Sequence, residues 1–213
     1  MGQKVNPIIY RLGVHNDWQS LWAVGDKKQY RNFLLEDVKL RQFLWRRLRM
    51  AGIVGISIER LFNRMKITLF ASRPGVVIGR GGKGLELLKK ELCQRISLVE
   101  APEKNLEIKI EEVKNPDIEA KFVAERVANQ LERRMPHRRV MRKELERVMN
   151  AGALGVKIRL AGRIDGAKIA RQEKFIAGKV PTSTIRANID YAQVPALTRK
   201  GYVGVKVWIY KED

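Results

Sequence analysis

The stretch Val76-Val77-Ile78-Gly79-Arg80-Gly81-Gly82-Lys83-Gly84 decides how this chain is read. Three apolar residues run into four glycines and two cations, with no acid among them. Leu85, Leu88, Leu92 and Ile96 then recur at helical spacing and predict a helix over 83–97. Glycine lets a second backbone come close because it carries no Cβ. Arginine and lysine at a helix N-terminus make a place for a phosphate. The stretch therefore points to a phosphodiester or a nucleotide, and its flanks must decide between them.

Upstream, Leu40, Leu44 and Leu48 share one face of a helix expected over 34–50, with Gly52 as its stop. Ile56 and Ile58, then Met65, Ile67 and Leu69, alternate with polar residues, and Asn63-Arg64 between them predicts a hairpin. Downstream, Leu106, Ile108 and Ile110 alternate with Glu107, Lys109 and Glu111 as a third strand. Gly79, Gly81 and Gly84 satisfy the dinucleotide pattern G-x-G-x-x-G. That fold needs parallel strand–loop–helix–strand units, whereas here an antiparallel hairpin precedes a single such unit and Val76 to Ile78 is too short a strand after Pro74. A P-loop is excluded because Gly84, not Ser or Thr, follows Lys83. Gly79-Arg80-Gly81-Gly82 is better read as the GXXG loop of a KH domain, which clamps a single strand of four nucleotides. Helix, strand, strand, GXXG, helix, strand is the order of a type II KH domain. From Arg60 to Leu85 there is no acid, while Arg60, Arg64, Lys66, Arg73, Arg80 and Lys83 are cationic.

Asn115-Pro116-Asp117 marks a boundary. Ala120, Val123, Val127 and Leu131 line a helix, Met135-Pro136 interrupts it, and a second helix is expected over 138–150. Strands follow at 156–160, 185–191 and 203–210. The expected architecture is α+β in two domains. An N-terminal arm covers 1–34. A type II KH domain covers 35–113, a three-stranded sheet with helices on one face. A C-terminal α+β domain covers 114–213, with helices packed on a sheet. Around the interruption, Arg133, Arg134, Arg138, Arg139, Arg142 and Lys143 fall within one short acid-free stretch. Arg138, Arg139 and Arg142 lie on adjacent parts of one helical face, a comb suited to phosphates.

Composition agrees with an anionic partner. The 213 residues carry 43 lysines and arginines against 23 acids, a formal charge of +20. A fold confining that charge repels itself, and nucleic acid fits the need better than a membrane surface. No apolar run approaches the roughly 20 residues of a membrane-spanning helix. Cys93 is the single cysteine and the first residues hold no signal-peptide core, so a cytoplasmic protein without disulfides is expected. His15 and His137 with one distant cysteine build no zinc site. No acid–base pair or nucleophile–histidine set stands out, so neither catalysis nor a cofactor is expected. Trp18 and Trp22 either stack on a base or pin the arm to the folded body, and pinning is the preferred reading.

Almost end to end, the chain resembles the bacterial-type small-subunit ribosomal proteins of the S-three family. The resemblance is carried by Gly2-Gln3-Lys4-Val5-Asn6-Pro7, by Trp18-x-Ser20-x-Trp22 and by Ala71-Ser72-Arg73-Pro74-Gly75-Val76-Val77-Ile78-Gly79. In the second half it is carried by Gln130-Leu131-Glu132-Arg133-Arg134, Gly162-Arg163-Ile164, Ala170-Arg171, Arg186-Ala187-Asn188-Ile189-Asp190-Tyr191 and Gly204-Val205-Lys206-Val207-Trp208-Ile209-Tyr210. It implies a structural component of the small-subunit head, in a cytoplasmic ribosome unless an organellar one. Such a protein binds small-subunit ribosomal RNA through both domains and lines the channel where messenger RNA enters. The resemblance adds Arg163, Arg171 and Arg186 to the RNA-binding residues. Gln3, Lys4, Asn6, Trp18 and Trp22 belong to the arm that meets neighbouring ribosomal proteins. In the family, the face matching Arg138, Arg139 and Arg142 meets the incoming message and is linked to opening its duplexes. With no NTP site here, such opening would draw on translocation. Departures from the family pattern are Pro136 before the comb, Asp165 in place of a second small glycine, Ser183 in place of a histidine, and an end at Asp213 without a long basic tail. The alternative reading is a free-standing KH regulator of messages.

Overall fold

The computed structural model describes residues 4–61, 64–95 and 105–212. In chain order the elements are α1 (Pro7–Tyr10), β1 (Ser20–Leu21), α2 (Lys27–Arg47), β2 (Ile53–Leu61), β3 (Arg64–Ala71), α3 (Pro74–Ile78), α4 (Lys83–Cys93) and β4 (Leu106–Glu112). They continue with α5 (Ala120–Glu132), α6 (His137–Asn150), β5 (Gly155–Gly162), β6 (Arg171–Gly178), β7 (Ile189–Thr198) and β8 (Gly201–Tyr210). They form two compact units. One is Trp18–Lys114; the other joins Asn115 onward to the residues before Trp18. The segment read as an arm is thus divided between the two.

In the first unit β2 and β3 pair antiparallel, and β3 pairs parallel with β4. The two-residue β1 adds to the β2 edge, a fourth strand beyond the three expected. Leu40 and Leu44 of α2, Val77 of α3 and Leu88 and Leu92 of α4 pack with Ile56, Ile58, Ile67 and Leu69 of the sheet. Each such fully buried side chain stabilises by roughly 1.5–3 kcal/mol over exposure. α2 begins at Lys27 rather than 34, because Asp26 caps it by accepting from the Lys28 amide at 3.2 Å. Its first turns are exposed and polar, so the apolar period starts only further along. Asn63 of the expected turn, and residues of the expected helix from Ile96 to the loop at Pro102, lie outside the described residues.

Buried ion pairing ties α2 to the sheet. The Arg60 guanidinium, whose side chain is 6% exposed, donates to Glu36 at 2.7 Å and to Asp37. Asp37 also accepts from Trp22 Nε1 at 2.8 Å, and the Trp22 ring packs on Tyr30 and Phe33. Arg60, read as part of a cationic surface, is therefore internal.

In the second unit β6, β5, β8 and β7 form an antiparallel sheet in that order. Val123, Val127, Val140, Met141 and Val148 of α5 and α6 pack on its Ile158, Leu160, Val205 and Val207. The expected strand over 185–191 is instead β7, from Ile189 to Thr198. Pro195 hides it in the sequence, and is tolerated because β7 is an edge strand. β6 was not foreseen, since its first half, Arg171-Gln172-Glu173-Lys174, has no apolar alternation.

Arg11 holds the N-terminal residues to this unit. It is 0% exposed and has no carboxylate partner among the described residues. It donates instead to the carbonyls of Ala187 (2.6 Å), Thr184 (2.7 Å), Pro7 (3.1 Å) and Thr182 (3.2 Å). At the far end of the chain Lys211 Nζ lies 2.7 Å from Glu119 and 3.4 Å from Asp190. Burial pulls the Lys211 pKa down, but Asp190 and Glu119 outweigh it and raise it above the ordinary lysine value.

Two stability outcomes follow from this packing. A Cβ on Gly84 would stand 2.9 Å from the carbonyl oxygens of Ile78 and Val77. Gly84→Ala should therefore cost about 1–3 kcal/mol in urea unfolding, because backbone cannot yield as a side chain does. Lys211→Met leaves two half-buried carboxylates unopposed and should cost about 1–3 kcal/mol at neutral pH. Because Lys211 is raised in the folded state, its contribution is complete below about pH 10.4 and is lost as pH rises through the folded value. The wild-type advantage over Lys211→Met should narrow in unfolding curves taken above that pH.

Candidate nucleic-acid interface

The glycine loop joins two helices end to end. α3 stops at Gly79, whose φ of 71° is left-handed, and a single turn of 3-10 helix over Arg80–Gly82 leads into α4. Gly81 (φ 62°) and Gly82 (φ 78°) continue the left-handed run. A Cβ on Gly79 would touch the Gly84 backbone at 3.0 Å, so Gly79 and Gly84 let the two helices meet. A Cβ on Gly81 or Gly82 would meet nothing within 4 Å. The glycines thus serve two ends: the outer pair seat helix on helix, and the inner pair leave open space above the loop. Val76 to Ile78 is helical, not a strand, as the KH reading requires.

Gly82 is the N-cap of α4 and supplies no side-chain acceptor, while the Lys83 amide donates to the Arg80 carbonyl within the loop turn. Arg80 and Lys83 are exposed beside it. Neither has a carboxylate within ion-pair distance among the described residues. The positive end of α4 and two cations exposed beside it suit one or two phosphates.

The second constellation lies at the junction of α5 and α6. α5 ends at Glu132, Arg134 turns the chain with φ 61°, and Pro136 is the N-cap of α6. Pro136 therefore starts the comb helix and does not break it, since its missing amide is one a helix start leaves unpaired. Arg138 and Arg139 sit in the first turn of α6, where no acid is present, and Arg142 and Lys143 follow one turn later. Arg133, Arg134, Arg138, Arg139, Arg142 and Lys143 are all exposed. None has a carboxylate partner among the described residues. Cations at a helix N-terminus oppose its dipole. This arrangement costs the free protein stability that a bound anion would return.

Of the acids nearest in sequence Glu146 is exposed, while Glu132 and Glu144 are engaged elsewhere, Glu132 by the Leu197 amide. Glu144 is fully buried and accepts from Arg126 and from Gln130 at 2.8 Å, while Asp117 takes the other side of Arg126. Of the other residues singled out from sequence, Lys66 pairs with Glu59 at 3.2 Å and Arg171 with Glu173 at 3.0 Å. Arg163 donates to the Ala167 carbonyl at 2.9 Å. Arg64, Arg73 and Arg186 are exposed. In the arm, Lys4 and Asn6 are exposed, and Asn6 caps α1 by accepting from Ile8 at 2.9 Å. Trp18 is 69% exposed, while Trp22 is pinned to the folded body through Asp37. Gln3 lies outside the described residues.

The face of the second sheet that carries Lys157 and Trp208 was not read from sequence. Lys157 and Trp208 stand opposite one another across β5 and β8, and Arg159 faces Lys206 in the next pair. The Lys157 ammonium lies 5.1 Å from the Trp208 ring centre. Burial first, then Lys4, Lys174 and Arg159, lowers its pKa. The alternation of β8, already visible as Val203, Val205, Val207 and Ile209, was the signal that the intervening residues share this face.

Comparison with known proteins accounts for the whole chain. Residues 39–118 match the KH domain, and residues 127–209 match the ribosomal protein S3, C-terminal domain. Over all 213 residues the chain is 49% identical to small ribosomal subunit protein uS3 of Persephonella marina, covering 91% of it. It is 47% identical to uS3 of Desulforamulus reducens, covering 93%, and 44% identical to uS3 of Pediococcus pentosaceus, covering 92%. A KH unit built around a GXXG loop, followed by an α+β unit that matches the S3 C-terminal domain, places the two basic surfaces in one known frame: the chain belongs to the uS3 family of small ribosomal subunit proteins.

Proposed function

We propose that this protein is a structural constituent of the small ribosomal subunit head, and that it binds ribosomal RNA through both units. The observation that carries the reading is the pair of exposed, acid-free cationic surfaces, one on the GXXG loop and one at the start of α6. In the same reading the α6 comb lines the channel through which messenger RNA enters. Arg138, Arg139 and Arg142 grip phosphates of the incoming strand and resist the return of a duplex, while translocation supplies the work. The residues before Trp18, with the second unit, meet neighbouring ribosomal proteins. The protein is not an enzyme, and its family resemblance to bacterial-type relatives supports a place in a cytoplasmic ribosome.

Binding of the purified protein to an unstructured RNA should fall steeply with salt, by roughly 0.7 log units per log unit of salt for each phosphate neutralised. The pair Arg80→Asp with Lys83→Asp should reduce that slope by about 1.4 if each cation meets one phosphate. Circular dichroism melting of the pair should match the wild type. A salt-independent affinity sinks the electrostatic reading, and a large loss of melting temperature makes the loop cations structural.

Arg138→Glu with Arg139→Glu puts acids where the α6 dipole favours them. It should raise stability by about 0.5–1 kcal/mol while weakening RNA binding. Ribosomes carrying it should retain the protein and translate unstructured messages normally, but slow on structured ones. Loss of the protein from purified subunits would instead make the comb an assembly contact.

A further inference from the structure

A cleft of about 310 Å³ opens in the second unit beside the arginine comb. Its walls are Leu131, Met135, Leu160, Ile164 and Val203. Its rim carries Arg134 at the end of α5 and Arg199 with Lys200 in the β7–β8 turn. None of these three cations has a carboxylate partner among the described residues. The one acid on the rim, Asp165, lies 2.7 Å from His137 Nδ1, and the other ring nitrogen of His137 lies 2.8 Å from Glu173. Asp165 is thus drawn toward the first residue of α6, and it is within ion-pair distance of none of the three cleft cations.

The cleft is preformed. His137 ties the loop carrying Ile164 and Asp165 to α6, and the Leu197 amide donates to Glu132 at the end of α5 at 3.3 Å. The turn is closed by Thr198 Oγ1 donating to the Gly201 carbonyl at 2.7 Å. The Lys200 stem runs over Gly166, where a Cβ would stand 2.3 Å from its Cδ, so this glycine lets the ammonium reach the rim. Among the described residues, the two non-glycine residues with positive φ are Arg134 (61°) and Asp165 (53°), and both border this cleft. Such conformations persist where the surroundings over-determine them, and they gather at binding sites.

An apolar slot with three unpaired cations at its mouth matches a ligand that is flat and apolar at one end and anionic at the other. We propose that the cleft takes one unstacked nucleotide of a single-stranded RNA, its base between Leu131, Met135 and Val203 and its phosphate on Arg134, Arg199 and Lys200. The size agrees, since pockets for ligands of this kind start near 300 Å³. Arg134 belongs both to the comb and to the rim, so a strand lying along α6 reaches the cleft without a break. The assignment rests on the RNA-binding reading of the comb and adds to it a point where the strand is held by a base and not only by its backbone. A base held this way is unavailable for re-pairing.

The test uses the full-length protein and a set of short unstructured RNA oligonucleotides carrying 2-aminopurine at successive positions. This base is dark when stacked on neighbours and bright when unstacked, and no aromatic side chain lines the cleft to quench it. Emission should rise on binding for a restricted set of positions, while anisotropy of an end label reports total binding. Arg199→Ala with Lys200→Ala, in an exposed turn, removes two phosphate-binding cations and should abolish the rise and weaken binding by about tenfold. Met135→Trp, which fills the slot, should also abolish the rise; if it fails to fold, the turn variant carries the test. RNA that binds with no rise at any position leaves the comb reading intact and overturns this one, assigning the cleft to another occupant such as an apolar side chain of a neighbouring protein. An undiminished rise in the turn variant overturns it as well. Absence of any RNA binding overturns both.

Discussion

Repulsion among 43 cations with only 23 acids to offset them is the constraint on which the rest of the structure depends. The acids are not spread evenly over the surface. Glu36 and Asp37 neutralise Arg60 inside the first unit, Glu144 and Asp117 neutralise Arg126 inside the second, and Glu119 with Asp190 holds Lys211. Buried cations left without partners would be far more costly than exposed ones, so these six acids are committed to the cations that lie inside or partly inside the units. The glycine loop, the start of α6 and the β7–β8 turn then receive none. The same allocation that makes the interior stable leaves the surface in need of an anion, and folding and RNA binding become two consequences of one distribution of charge.

The helix termini sharpen this. α4 starts on a glycine with no side-chain cap, and α6 starts with two arginines in its first turn. A chain selected for stability alone would place Ser, Thr, Asp or Glu at both positions. Both termini instead suit a phosphate. Arg11 illustrates the opposite choice: fully buried, it donates to carbonyl oxygens, has no carboxylate partner among the described residues, and pins the chain before Trp18 to the second unit. That bond set gives the arm residues a fixed base, independent of any acid.

The two units and the loop were legible in the sequence because their requirements are local. Left-handed glycines, the alternation in β2, β3, β4 and β8, and the apolar stripes of α4, α5 and α6 all act over a few residues. What stayed hidden depends on distant partners. The inward turn of Arg60 needs Glu36 and Asp37, which lie on another element, and the buried Arg11 needs carbonyls from residues 182–187. β6 is a polar edge strand defined by its register with β5, and β7 runs through a proline that only an edge permits. The interface divided in the same way. The comb and loop cations are contiguous in sequence and were visible, whereas the cleft is assembled from α5, the loop after β5 and the β7–β8 turn.

The unpaired cations of both units are expected to meet RNA in the assembled small subunit. Ultraviolet cross-linking of purified subunits, with the adducts on this protein mapped by mass spectrometry, tests it most directly. RNA adducts are expected on the peptides holding residues 80–83 and residues 133–143. Subunits that contain the protein but yield no adduct on either peptide, while other segments cross-link, would contradict it.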